Sequence, residues 1–232
     1  MKSRLEGLNR KGLLSNQYSD EYMEFLEHII TPILRCTIIR VWHYTRLLDF
    51  EAVRMQQQLT PSTLGGLALR LDQLVDSCVI NQDEADTILQ QSIFHTQEEL
   101  RSNCLWVTTV PWPAYYHGVV PLLESWGGEI AYFGLSKQIL QQKLKKIGLP
   151  RIIEIEVGLK DRMNAYSVSR TVVEAWARRR GFGVRITGSD MCIRSCLQQA
   201  QVLKIHTEGD DIFRKVGVNY PGKFSELTGW DD

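Results

Sequence analysis

The first 18 residues are polar and hold no period, so a flexible N-terminal arm is expected there. Ser19 and Asp20 can cap a helix whose apolar positions, Tyr22, Phe25, Leu26, Ile29 and Ile30, recur at three- and four-residue spacing, and Pro32 should end it. The period then drops to two. "RCTIIRVWHYT" is rich in β-branched residues and reads as a strand, with Ile39, Val41, His43 and Thr45 on one face and Ile38, Arg40, Trp42 and Tyr44 on the other. His43 and Thr45 thus share a face at the strand's C-terminal end.

Helical periods return from about 49 to 102. One segment spans Asp49 to Gln58, and a second carries Leu64, Leu67, Leu71, Leu74 and Cys78. A third starts at the cap Asn81, with Glu84 reaching back and Ile80 and Ala85 as a staple, and runs towards Arg101. "CLWVTTV" is the next strand, followed by the Pro-fixed aromatic connection "PWPAYYHG" and a short helix, "VVPLLESW". "GGEIAYF" is expected to be a strand that opens with Glu129. An amphipathic helix from Ser136 to Lys146 closes at Gly148 and Pro150, and the strand "RIIEIEV" follows. A helix from Ser167 to Arg180, a strand "VLKIHT" and a turn-rich tail complete the chain. The pattern predicts a single α+β domain over 19–232, with a helical insert at about 49–102.

Composition narrows the function classes. Lys plus Arg equals Asp plus Glu, 27 each, so no global field favours nucleic acid or an anionic membrane. No run approaches the roughly 20 apolar residues of a membrane span, and the basic start lacks an apolar core, so a cytoplasmic protein with no membrane partner is expected. The five cysteines, Cys36, Cys78, Cys104, Cys192 and Cys196, are scattered and odd in number, which fits reduced, buried thiols and no metal site. "GFG" at 181–183 lacks a preceding strand and reads as a helix end, as does "ARRRG".

The order of the polar groups carries the chemistry: His-x-Thr at a strand end, then a strand leading into paired tyrosines, then a glutamate after Gly-Gly. This order, over roughly residues 36 to 157, resembles the ADP-ribosyltransferases of the diphtheria-toxin and poly(ADP-ribose) polymerase type. The resemblance implies a split β-sheet and NAD as substrate. It gives His43 and Thr45 the ribose and carboxamide of NAD, and Tyr115 or Tyr116 the stack on the nicotinamide ring. Glu129 becomes the carboxylate that stabilises positive charge on the ribose as the glycosidic bond breaks. It also implies a protein or nucleic-acid acceptor and, for a lone domain of this kind, a toxin or phage-defence role with an antitoxin partner. "EIE" at Glu154 to Glu156 is similar to the E-x-E of arginine-modifying transferases, which makes Glu156 the second choice. That branch pairs it with an arginine on the first strand, where Arg40 stands, and with a Ser-Thr-Ser block, where this chain has "VTT". A reading from another class is a non-catalytic binding module that uses Trp112, Tyr115, Tyr116, Trp126 and Trp230 as an interaction surface.

Overall fold

Helical and extended stretches alternate along residues 17–194 and 200–221, the part that the computed structural model describes. Helix α1 (Gln17–Glu24) widens into a π-helical stretch (Phe25–Ile30) and ends in a last turn, α2 (Thr31–Leu34). Strand β1 (Ile38–Leu47) leads into four helices, α3 (Asp49–Gln57), α4 (Leu64–Asp76), α5 (Gln82–Gln90) and α6 (Phe94–Arg101). Strand β2 (Leu105–Thr108) is followed by the short helices α7 (Val120–Glu124), α8 (Glu129–Tyr132) and α9 (Gln138–Leu144). Then come β3 (Leu149–Gly158), the long α10 (Arg162–Arg179), β4 (Asp190–Ile193) and β5 (Gln201–Thr207). The strands form one antiparallel sheet in the order β4-β2-β1-β3-β5, so the chain is α+β.

The alternation read for β1 holds. Val41 and Leu47 join Ile153, Ile155 and Val157 of β3 in one core, closed by Ala165 and Val168 of α10. Trp42 and Tyr44 face the other way, onto Ile152, Val119, Leu123, Phe213 and Val216. A third core joins Leu67, Leu71 and Leu74 of α4 and Ile88 of α5 to Trp126, Leu140 and Leu144. The helical insert is therefore cemented to the segment after β2 and does not project as a separate lobe.

Several expectations are corrected. Of the expected arm, 1–18, all but Gln17 and Tyr18 lies outside the described residues, and those two already belong to α1. The first helix runs past Pro32, because the π-helical turn shifts its hydrogen bonding and Pro32 falls in the first turn of α2, where a missing N–H costs nothing. Of its apolar stripe, Tyr22, Phe25 and Ile29 are exposed and Leu26 is buried. The helix capped by Asn81 breaks after Gln90: Gln91 turns its side chain to Ser136, and Ser92 Oγ donates to the Ile130 carbonyl at 2.7 Å. "GGEIAYF" is not a strand. Gly127 and Gly128 take positive φ, 78° and 64°, which turns the chain into the single helical turn α8 directly after Trp126 makes an isolated bridge with Arg46 of β1. The cysteines also differ from expectation: Cys104 and Cys192 form a disulfide, Cys36 and Cys78 are exposed, and Cys196 lies outside the described residues. The pairing was hidden because β4, which carries Cys192, has only four residues and no legible period.

Candidate functional site

The sheet comes apart at one place, and the site lies there. β1 pairs with β3 along its whole length, from Ile38 opposite Gly158 to Leu47 opposite Leu149. Its ladder with β2 is a single register position, Trp42 opposite Thr108. Beyond Trp42 the two strands part. The His43 imidazole reaches across, with Nδ1 2.7 Å from the carbonyl of Trp106, and further along Arg46 makes an isolated bridge with Trp126. The gap opens into a cavity of about 1290 Å³, above the usual range for a small-molecule site.

Four of the residues picked out by sequence line this cavity: His43, Thr45, Tyr116 and Glu129. They come from β1, from the turn after β2 and from the start of α8. His43 is half-buried, and burial holds its pKa below the ordinary 6.5, with the charge of Arg70 adding to the effect and the Trp106 carbonyl opposing it. A neutral imidazole bonded through Nδ1 to a carbonyl must donate from Nδ1, which leaves the Nε2 lone pair as an acceptor. Thr45 is buried, yet its hydroxyl has no hydrogen-bond partner among the described residues. Tyr116 stacks on Trp112, ring centroids 4.4 Å apart and planes 16° from parallel. The loop that carries this pair is pinned by Tyr44, whose phenol donates to the Trp112 carbonyl and accepts from its amide. Burial raises the pKa of the Tyr44 hydroxyl strongly, so it stays a neutral donor and acceptor.

Other candidates fall elsewhere. Tyr115 is 74% exposed and outside the cavity wall, so the choice between the paired tyrosines goes to Tyr116. Glu154 projects from the opposite side of β3 into a buried cluster, where Arg40 Nη1 donates to Oε2 at 2.9 Å and His206 Nε2 lies 2.7 Å from Oε1. Glu156 shares that side by alternation and does not line the cavity either. The aromatic surface is largely dismantled: Trp126 is fully buried, Trp112 and Tyr116 pack on a core, and Trp230 lies outside the described residues. Glu129 lines the cavity but heads a helical turn and is ion-paired with Arg101, whose Nη1 donates to Oε2.

The residue that sequence reading missed is Asp190. It is the first residue of β4, opposite Thr108, which is itself opposite Trp42, so the three stand in one row across the split. Asp190 lines the cavity and has no side-chain hydrogen bond or ion pair among the described residues. The side chain is exposed, yet partial desolvation raises its pKa and the charge of Glu129 raises it further, so the two carboxylates feel one another. Its approach is fixed by the preceding loop: Ser189 N donates to Thr109 Oγ1, and Thr187 donates through both N and Oγ1 to Glu174 of α10. The sequence signal was an acid heading the short apolar run "DMCI".

Among the described residues no group of three or more His, Cys, Asp or Glu is placed to hold a metal, and no helix is long and apolar enough to cross a membrane. No protein-family model, no curated protein and no solved structure matches this chain.

Proposed function

We propose that the chain is an ADP-ribosyltransferase of the His-Tyr-Glu kind, which takes NAD into the cleft between β1 and β2 and transfers ADP-ribose to a macromolecular acceptor. The observation that carries this reading is that His43 and Thr45 from one face of β1, Tyr116 from the Trp42 side, and the carboxylates Glu129 and Asp190 all line one cavity where β1 and β2 part. The resemblance implies a split β-sheet, and the single five-stranded sheet here opens between β1 and β2, which supports the reading. In this reading the Nε2 of neutral His43 and the free hydroxyl of Thr45 receive the hydroxyls and amide of the substrate. The Tyr116 ring, backed by Trp112, holds the flat leaving group by stacking. Cleavage of the glycosidic bond builds positive charge on the ribose, and a carboxylate fixed beside it acts mainly on the transition state. Glu129 and Asp190 are the acids in reach of that role; Glu129 enters it with its charge balanced by Arg101, Asp190 with its charge unpaired. An intracellular toxin held in check by an antitoxin suits an enzyme that consumes NAD.

The test is nicotinamide release from NAD by the purified protein, with cell extract as a source of acceptors. Glu129→Gln and Asp190→Asn are each expected to lower the rate about 100-fold or more, as loss of a preorganised electrostatic group does. Glu156→Gln should leave it unchanged. Asp190→Asn should also raise Tm, because the ionised acid is held at a cost in the native state. Absence of both release and NAD binding by folded protein would turn the reading to a binding module, in which Trp112→Ala abolishes partner capture.

A further inference from the structure

The wall of the cavity built by the helical insert carries positive charge that the chain does not use up. Arg70 of α4 stacks its guanidinium over the Trp126 ring, 4.5 Å from the centroid, and donates through Nε to Glu51 Oε1 at 2.7 Å. Its Nη2 is buried with no acceptor among the described residues. Glu51 cannot supply one, since its other oxygen accepts from Leu48 N and Trp126 Nε1, both at 2.9 Å. Arg54 of α3 lies over the Phe50 ring, 5.4 Å from its centroid, donates to the neutral amide of Gln73 at 3.2 Å, and makes no ion pair among the described residues. Thr63 and Gly66, at the first turn of α4, line the same wall and turn the helix's positive end towards it.

Three guanidinium groups and three carboxylates line the cavity. On the insert wall Arg54 and Arg70 stand with Glu51, while the acidic side, Glu129 and Asp190, is shared with Arg101 of the same insert. Arg70 pairs with Glu51 and Arg101 with Glu129, and Arg54 and Asp190 make no ion pair among the described residues. We infer that the insert wall is an anion subsite for a diphosphate group, with Arg70 as its fixed donor and Arg54 as its outer clamp. A guanidinium whose N–H groups lack acceptors is costly. A phosphate oxygen in the cavity can serve the exposed part of the Arg70 side chain, which lines it; engaging the buried Nη2 would need the guanidinium to turn. Guanidinium geometry favours phosphate oxygens, and the Trp126 ring and Glu51 hold the Arg70 group in place before any ligand arrives. The charge of Arg70 is also felt at His43, which places the subsite beside the point where the sheet parts. Joined to the proposed function, on which this extension rests, the NAD diphosphate lies on Arg54 and Arg70 and the reacting ribose on the acidic side.

Calorimetric titration of the full chain with inorganic diphosphate, and separately with NAD, tests this. The variants are Arg70→Lys, which keeps a cation for Glu51, and Arg54→Gln at an exposed position. The wild type should bind diphosphate in competition with NAD, and each variant should weaken both ligands by about tenfold or more. Absence of diphosphate binding by the wild type, or unchanged affinity in the folded variants, overturns the subsite; if Arg70→Lys does not fold, Arg54→Gln decides alone. Arg-dependent diphosphate binding without NAD binding keeps the subsite and removes the transferase reading. Equal NAD affinity in all three proteins does the reverse.

Discussion

His43 shows how much a single position reveals and how much it hides. Its strand, its face and its neighbour Thr45 follow from alternation, and the structure keeps all three. Its protonation state does not follow from sequence, because that depends on the Trp106 carbonyl, 63 residues along the chain, and on the charge of Arg70. The sign is definite. The folded pKa lies below 6.5, so the unfolded chain takes up the proton first as pH falls. His43 therefore adds no acid sensitivity above about that value, and native stability drops as pH falls from 6.5 to the folded pKa. In His43→Gln the dependence of Tm on pH in that window should flatten, and nitrogen chemical shifts of the wild type at pH 7 should report the Nδ1–H tautomer. A shift pattern with the proton on Nε2 would contradict the hydrogen bond to Trp106. Asp190 is the opposite case: an acid that looks like loop decoration in the sequence becomes a wall of the cavity once β4 pairs with β2.

Among the elements, those whose stabilising contacts are local were legible, and those decided by distant partners were not. The Asn81–Glu84 capping box is one example, with Glu84 N donating to Asn81 Oδ1 and Asn81 N to Glu84 Oε2, both at 2.9 Å. The alternation that gives β1 and β3 their faces is similar in kind, since it acts within each strand. By contrast, the break after α5 and the helical turn of α8 are set by each other: the backbone around Gly134 comes so close to the insert that a Cβ there would lie 1.8 Å from the Gln91 carbonyl oxygen. Gly134→Ala must push α5 and the segment after α8 apart. It should cost about 2 kcal/mol or more in chemical denaturation, in the range of overpacked sites. Because that segment follows directly on α8, which Glu129 heads, cavity binding should weaken in the same variant; an unchanged midpoint would show that the two backbones are not in contact.

At the scale of the molecule, a buried charge cluster and the opening of the sheet lie on different strand pairs. Arg40, Glu154 and His206 knit β1, β3 and β5 together, and Glu154 is 4% exposed. Glu154→Ala leaves a buried guanidinium without this partner and should destabilise the fold by about 3–5 kcal/mol. Any activity lost in that variant should return at low temperature with refolding, as loss of a chemical group would not. Glu154, the first acid of the E-x-E that sequence offered as a second site, is thus part of what holds the sheet.

The sequence by itself determined the α+β class, the faces of β1 and β3, the helical character of 49–102 and the placing of His43 and Thr45 on one face of β1; the strand runs on to Leu47, so they do not stand at its end. These rest on periods of two and of three to four residues and on caps, all of which act within a few residues. Only the tertiary structure decided that β2 leaves β1 after one register position, that Tyr116 and not Tyr115 faces the gap, that Glu154 is buried and that Asp190 and Arg70 complete the cavity. Each of these depends on which backbone fills a strand's edge or covers a charge, and that is fixed by contacts between residues far apart in the chain.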